Sequence, residues 1–132
     1  LSIDGTVVGT WGSEQLSRHV ELQANDKTPQ YQQALKVAHL NRDRNSGPVR
    51  TLRNEWRVFQ RYARDNRDAK TDADRENVAQ WKKRLEGLSE RVAGHAAEAK
   101  KIEDQIFEVN QPVARKYVLS RVAPPARKPA EN

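Results

Sequence analysis

The sequence contains no cysteine and no methionine, and its aromatic side chains amount to three tryptophans, three tyrosines and two phenylalanines. Without cysteine, the chain forms neither disulfides nor thiolate metal sites. Hydrophobic residues make up 36% and charged residues 32% of the chain. This composition is poor in core material for a compact globule and is typical of amphipathic helices that bury one stripe. No apolar run approaches the roughly 20 residues that a membrane span needs.

The chain begins at Leu1 rather than at methionine. We expect that an upstream piece has been removed from the primary product, for example a cleaved export or transit signal, and a trimmed sequence is the simpler alternative. The compartment therefore stays open. Export, for example to a periplasm, an organelle after signal removal, and the cytoplasm all fit the sequence.

Motifs for catalysis, cofactor binding and metal binding are also missing. The three histidines, His19, His39 and His95, form no His-Glu-x-x-His arrangement and have no second histidine at helical spacing, as a zinc site on a helix would require. The Glu-x-x-His pairs of a di-metal helical bundle are absent, and the glycines at residues 5–12 lack the lysine of a phosphate loop. We therefore expect no catalytic, cofactor-binding or metal-binding residues, and a protein that is not an enzyme.

Charge is distributed unevenly along the chain. The formal net charge is +6, and residues 41–67 carry eight arginines against three acids. Residues 112–132 carry five basic groups against one acid, whereas residues 1–40 and 68–111 are slightly acidic. Basic character therefore concentrates in one predicted helix and in the C-terminal tail.

The strongest pattern is a heptad repeat in the second half of the chain. Thr71, followed by Asp72 and Asp74, has the character of a helix N-cap followed by acids. Apolar residues then recur at alternating steps of three and four, which predicts one long helix over residues 71–110, roughly 60 Å in length. The repeat consists of Val78, Trp81, Leu85, Leu88, Val92, His95, Ala99, Ile102, Ile106 and Val109.

A second heptad pattern predicts a helix over residues 48–66. Its apolar positions are Val49, Leu52, Trp56, Phe59 and Ala63. The short link before residue 71 predicts that the two helices pair antiparallel, with Trp56 and Phe59 near Trp81 and Leu85. This pairing covers only the first half of the long helix.

The uncovered half of the long helix is the candidate surface for a partner. Cover could come from a predicted helix at residues 29–42, which starts at Thr28 and Pro29, from a second copy of the chain, or from another protein. His95 lies at an inward position, where a polar residue sets register or pairing, and a pH-responsive contact is the alternative role. The candidate partner-binding residues are Val92, His95, Ala99, Ile102, Ile106 and Val109.

Arginines follow one face of the 48–66 helix. They are Arg50, Arg53, Arg57, Arg61 and Arg64, and we call them the arginine stripe. Such a stripe could bind the phosphates of nucleic acid, with the basic tail contributing. Alternatively, the arginine stems cover the core and the guanidinium groups pair with acids of the neighbouring helix, for which Glu76, Glu86 and Glu90 are available.

Taken together, these patterns predict an all-α fold. We expect an extended N-terminal segment at residues 1–12 without a partner strand in the chain, and an elongated antiparallel helical hairpin or bundle over residues 13–122. That bundle includes a short helix at about 13–25 and a last one at 113–122. A disordered, basic, proline-rich tail is expected at 123–132.

The expected role is that of a non-catalytic accessory or structural subunit without a cofactor. It would bind a protein partner, or a second copy of itself, through a coiled-coil-like surface and its extended termini, within a larger assembly. The alternative is a nucleic-acid-binding protein that uses the arginine stripe and the basic tail.

Overall fold

The structure is a computed structural model that describes residues 1–123. The described chain is mostly helical, with one small sheet formed by its two ends. The helices are α1 (Ser13–Arg18), α2 (Pro29–Ser46), α3 (Pro48–Asp68), α4 (Asp72–Arg84) and α5 (Leu88–Val109). The strands are β1 (Ser2–Ile3), β2 (Thr6–Val7) and β3 (Tyr117–Val118). The tail predicted as disordered lies outside the described residues except for Ala123.

The chain divides into two compact units. One, the terminal unit, consists of Leu1–Gln33 together with residues 112–123. The other, the helical unit, is Ala34–Gln111.

The sheet of the terminal unit corrects two predictions. The N-terminal segment is a hairpin, because Asp4 and Gly5 both take positive φ angles of 51° and 85°, as a two-residue turn between antiparallel strands requires. β1 also pairs antiparallel with β3, so the N-terminal strand does have partners in the chain, and residues 113–122 contain a strand instead of the predicted helix. Ile3 lies in the central strand and is 1% exposed.

Asp4 holds the C-terminal strand in place. Its amide donates to the Lys116 carbonyl at 2.9 Å, and its Oδ1 accepts from the Lys116 amide at 2.8 Å. Its Oδ2 accepts from Nη1 of Arg115 at 3.0 Å. The Lys116 amide and then the Arg115 guanidinium lower the pKa of Asp4, because both stabilise the ionised carboxylate.

The helix starts follow the predicted capping chemistry. Thr28 is buried, and its hydroxyl accepts from the Tyr31 amide at 3.2 Å at the first turn of α2. Thr71 Oγ1 accepts from the Asp74 amide at 3.1 Å, and the Asp74 carboxylate accepts from the Thr71 amide at 2.8 Å. These reciprocal bonds form a capping box that starts α4.

The predicted long helix is divided in two. α4 ends at Arg84, and α5 begins at Leu88 after a turn in which Gly87 takes φ +68°. This left-handed conformation interrupts the helical path at little cost only for glycine. The helix predicted over residues 71–110 as one piece was therefore wrong at this turn.

The heptad positions on both sides of the turn nevertheless face inward as predicted. Each of the ten repeat residues from Val78 to Val109 is at least half-buried. α3 packs against both α4 and α5, so its contacts extend to both sides of the turn at Gly87. Because the step from Leu85 to Leu88 is itself three, the turn leaves the phase of the repeat unchanged.

The inward face of α3 agrees with the predicted one at Val49 and Leu52, which are half-buried, and differs from it further along the helix. From residue 55 to the end of α3, the half-buried positions are Glu55, Val58, Tyr62 and Asp65. Trp56 and Phe59 are 44% and 41% exposed, so the prediction that they pack into the core beside Trp81 was wrong. The observed inward positions are shifted by one residue from the predicted ones, which corresponds to a rotation of about 100° around the helix axis.

Gly87 and Gly94 provide a matched test of the turn. We expect Gly87→Ala to lower the free energy of unfolding by about 1 kcal/mol, because alanine is strained at positive φ. Gly94 lies within α5 with open space where a Cβ would be placed, so Gly94→Ala should raise it by about 0.5–1 kcal/mol. Urea unfolding followed by circular dichroism measures both, and equal effects of the two substitutions would contradict the assigned turn.

Candidate interaction surfaces

Arg91 connects three elements at the turn between α4 and α5. Its Nε and Nη2 donate to the two carboxylate oxygens of Glu55 on α3, at 3.1 and 2.9 Å. The same guanidinium donates to the backbone carbonyls of Arg84, at 2.9 Å, and Glu86. The carbonyl of the last residue of α4 and one in the following turn are thereby satisfied, and α3 is fixed to the turn.

The charge of Glu55 is stabilised by this contact. Its side chain is 18% exposed, and the bidentate hydrogen bonds from Arg91 lower its pKa from the ordinary 4.5, with a smaller electrostatic contribution from His95. His95 itself is half-buried at its heptad position. The inward face of α3 therefore includes a carboxylate because a fixed arginine faces it.

The predicted partner-binding positions of α5 face the rest of the helical unit. Ala99 is 8% exposed, and the other positions are half-buried. α3 packs against α5, and α2 contributes an ion pair at 3.5 Å between Arg44 and Glu103, so cover of this face by the helix predicted at 29–42 stays a prediction. The remaining exposure leaves room for a partner, so binding there stays a prediction. The half-buried positions of α5 that retain partial exposure are Val92, His95, Ile102, Ile106 and Val109.

The members of the arginine stripe have different environments. The Arg61 guanidinium lies 5.2 Å from the centre of the Trp81 ring, which Arg84 also approaches at 4.8 Å. Arg64 pairs with Asp65 at 2.9 Å. Arg61 thus has the structural role proposed for the stripe, through a cation–π contact rather than a carboxylate.

The other three arginines of the stripe have no ion pair within residues 1–123. Arg57 donates only to the amide oxygen of Asn54, at 3.4 Å, and Arg50 and Arg53 are exposed. The predicted pairing of the stripe with Glu76, Glu86 and Glu90 does not occur. These three guanidinium groups remain accessible to a partner.

Trp56 and Phe59 form an exposed aromatic pair beside the stripe. Their ring centroids lie 5.8 Å apart with an interplanar angle of 89°, the edge-to-face arrangement that aromatic pairs favour. The sequence prediction assigned both to the core, and their spacing alone does not distinguish an inward stripe from the one beside it.

The terminal unit contains an apolar groove of about 890 Å³. Val7 and Leu16 line one part of it, and Leu119 and Val122 another. All four are exposed, with Leu119 at 66%. The sequence prediction overlooked this groove because it treated the two ends of the chain as unrelated. The Asp4-Gly5 pair was the available signal for the hairpin.

Within the described part of the chain, no three histidine or acidic side chains are grouped so as to hold a metal ion. None of the described helices combines the length and the apolar character that crossing a membrane would require.

Comparison of the chain with protein-family models, with curated proteins and with solved structures finds no match. The functional argument therefore depends on the surfaces themselves.

The Glu55–Arg91 pair predicts a pH dependence of stability. Because folding lowers the pKa of Glu55 below 4.5, its contribution is fully present above that pH and is lost as the pH falls through the lowered value. Glu55→Gln should reduce the free energy of unfolding at neutral pH by on the order of 1 kcal/mol, and the difference from the wild type should shrink in acid.

Glu76 provides the control for this prediction, since it is exposed and has no ion pair among the described residues. Glu76→Gln should leave the thermal unfolding midpoint unchanged from neutral pH to pH about 3. If the loss in the free energy of unfolding caused by Glu55→Gln stays constant below the ordinary carboxylate pKa, the ion pair is not the source of that loss.

Proposed function

We propose that the protein is a non-catalytic accessory or structural subunit that binds protein partners. The contacts would be made by the coiled-coil-like surface of the helical unit and by the ends of the chain in the terminal unit. One observation carries the proposal. The described residues bury only three hydrophobic side chains, Ile3, Val8 and Ala99, but leave eleven large ones exposed.

The helical unit supports this proposal through its incomplete core. α3, α4 and α5 pack together, yet every heptad residue except Ala99 retains partial solvent contact. In helical bundles, additional helices cover such seams. A helix from another chain would complete the bundle here, because large exposed apolar areas mark interaction sites in soluble proteins.

The terminal unit supports it through its sheet. β2 and β3 are the two edges of a three-stranded sheet, and an edge strand can pair with an extended segment of a partner. The neighbouring groove between Val7 and Leu119 offers apolar contacts for the side chains of such a segment.

The α5 seam is tested by introducing charge. Ile102→Asp combined with Ile106→Asp should abolish association at concentrations where the wild type is assembled, because an unpaired carboxylate in an apolar contact costs several kcal/mol. Native mass spectrometry of the purified full chain and its complexes measures the assembly, and circular dichroism measures helicity.

The matched control is Ala97→Asp with Gln105→Asp, which adds two charges at exposed positions of the same helix. This pair should preserve the native mass. An Ile102→Asp, Ile106→Asp variant that keeps both its native mass and its melting temperature would remove the α5 seam from the proposal.

Nucleic-acid binding is the second candidate, and it is favoured because Arg50, Arg53 and Arg57 have no acidic partner among residues 1–123. If the stripe binds phosphates, the log–log dependence of affinity on salt should have a slope of about −0.7 to −0.9 per phosphate neutralised. Arg50→Gln, Arg57→Gln and Arg64→Gln together should then flatten that slope.

We expect instead that the full chain binds generic DNA and RNA more weakly than micromolar at about 0.15 M salt, which fluorescence anisotropy measures. Tighter binding that disappears in the triple glutamine variant, with helicity unchanged, would make nucleic acid the better assignment.

A further inference from the structure

α3 carries two parallel apolar stripes, and the second is covered only at its beginning, where Val49 and Leu52 are half-buried. The covered stripe contacts α4 and α5 and includes Val58 and Tyr62. The second stripe lies beside it, and we call it the aromatic flank. Its members are Val49, Leu52, Trp56, Phe59 and Ala63.

The shape of the aromatic flank fits a helix. Its residues recur at steps of three, four, three and four, and the exposed part from Trp56 to Ala63 extends roughly 10 Å along the helix axis. Such spacing matches the inward positions of a second helix packed alongside. Single-stranded nucleic acid is a poorer fit, because the Trp56 and Phe59 rings lie at 89° to one another and so present no parallel faces on which successive bases would stack.

The charges beside the flank specify the chemistry of that helix. Residues 41–67 contain three acids, and each already has an arginine partner: Asp43 with Arg42, Asp65 with Arg64, and Glu55 with Arg91.

Arg53 directly follows Leu52 of the flank, and Arg50 and Arg57 lie one helical turn from it on either side. None of the three has an acidic partner within the described chain. A helix placed on the flank would therefore meet unneutralised guanidinium groups along one border.

The same charges disfavour a second copy of α3 as the occupant. Packing two flanks antiparallel about a two-fold axis would place the arginine rows of both copies on the same side of the interface, opposite one another. Like charges placed opposite one another oppose such pairing. An occupant with carboxylates at these positions would instead form bidentate pairs with them.

We propose that the aromatic flank of α3 binds an acidic amphipathic helix of another protein, with Trp56 and Phe59 as apolar anchors and Arg53 and Arg57 as carboxylate ligands. This inference rests on the proposed function and adds a second surface to it. Exposed tryptophan next to arginine is the composition in which binding energy concentrates at protein interfaces.

Two synthetic helical peptides test the chemistry of the occupant. They share one leucine heptad seam, and their flanking positions are all glutamate in one and all lysine in the other. The full-length chain should bind the glutamate peptide at least about 10-fold more tightly, as measured by isothermal titration calorimetry. Equal affinity for the two peptides, or preference for the lysine peptide, would overturn the inference.

Substitutions locate the binding surface. Trp56→Ala with Phe59→Ala should weaken binding of the glutamate peptide at least about 10-fold, whereas Phe107→Ala, at an aromatic residue that is 61% exposed on α5, should leave it unchanged. Undiminished binding by the double variant, with helicity intact, would place the peptide elsewhere.

Charge reversal provides a second variant that leaves the aromatic pair in place. Arg53→Glu with Arg57→Glu should invert the preference from the glutamate peptide to the lysine peptide. If the preference does not change, carboxylate recognition by these arginines is wrong.

The two proposals fail separately. Native assembly that is lost on charging Ile102 and Ile106, together with no selective peptide binding, would retain the proposed function and reject the aromatic flank. Selective peptide binding with no effect at α5 would retain the flank and reject the α5 seam.

Discussion

The Arg91 guanidinium is the contact on which the arrangement of the helical unit depends. It pairs with Glu55 of α3 and bonds to one carbonyl at the end of α4 and one in the following turn. One side chain therefore binds the carbonyl at which α4 ends, supports the turn at Gly87 and holds Glu55 of α3 on the inward face. Because an arginine holds its five donors in a fixed plane, it can satisfy several acceptors from different elements at once. A lysine would offer no comparable fork.

The orientation of α3 that places Glu55 inward also leaves aromatic and arginine side chains on its outer surface. Once Glu55 faces α5, Trp56 and Phe59 are rotated away from the helix contact by one position and remain in solvent. Arg61 instead reaches Trp81, while Arg50 and Arg53 point to no acid among residues 1–123. A local ion pair thus produces an apolar strip bordered by free positive charge, at the expense of a larger internal core.

The parts of this structure that the sequence predicts are those set by neighbours a few residues apart. Thr71 with Asp74, and Thr28 with Pro29, start helices through contacts within one turn. The inward positions from Val78 to Val109 follow from helical periodicity alone.

The parts that it does not predict are set by distant contacts. Nothing in the periodicity distinguishes Trp56 from Glu55 as the inward residue, because the choice depends on Arg91, which lies 36 positions away. The turn at Gly87 is equally hidden, since Leu85 and Leu88 keep the phase of the repeat across it. For the candidate sites, the α5 seam and the arginine stripe were predicted, whereas the exposed aromatic pair and the terminal groove were not.

The sheet of the terminal unit has a consequence for the order of folding. Asp4 bonds to Arg115 and Lys116 across sequence separations of 111 and 112 residues, so β3 reaches its place only after all the residues between them have been synthesised. Contacts within the helices need far shorter loops and form faster. Folding of the intervening helices also removes chain freedom that closure of so long a loop would otherwise cost. On the ribosome, the N-terminal hairpin must therefore wait with one edge of its central strand unpaired. During that interval the edge is available to other chains, which makes synthesis itself the period when this protein is most exposed to wrong pairing.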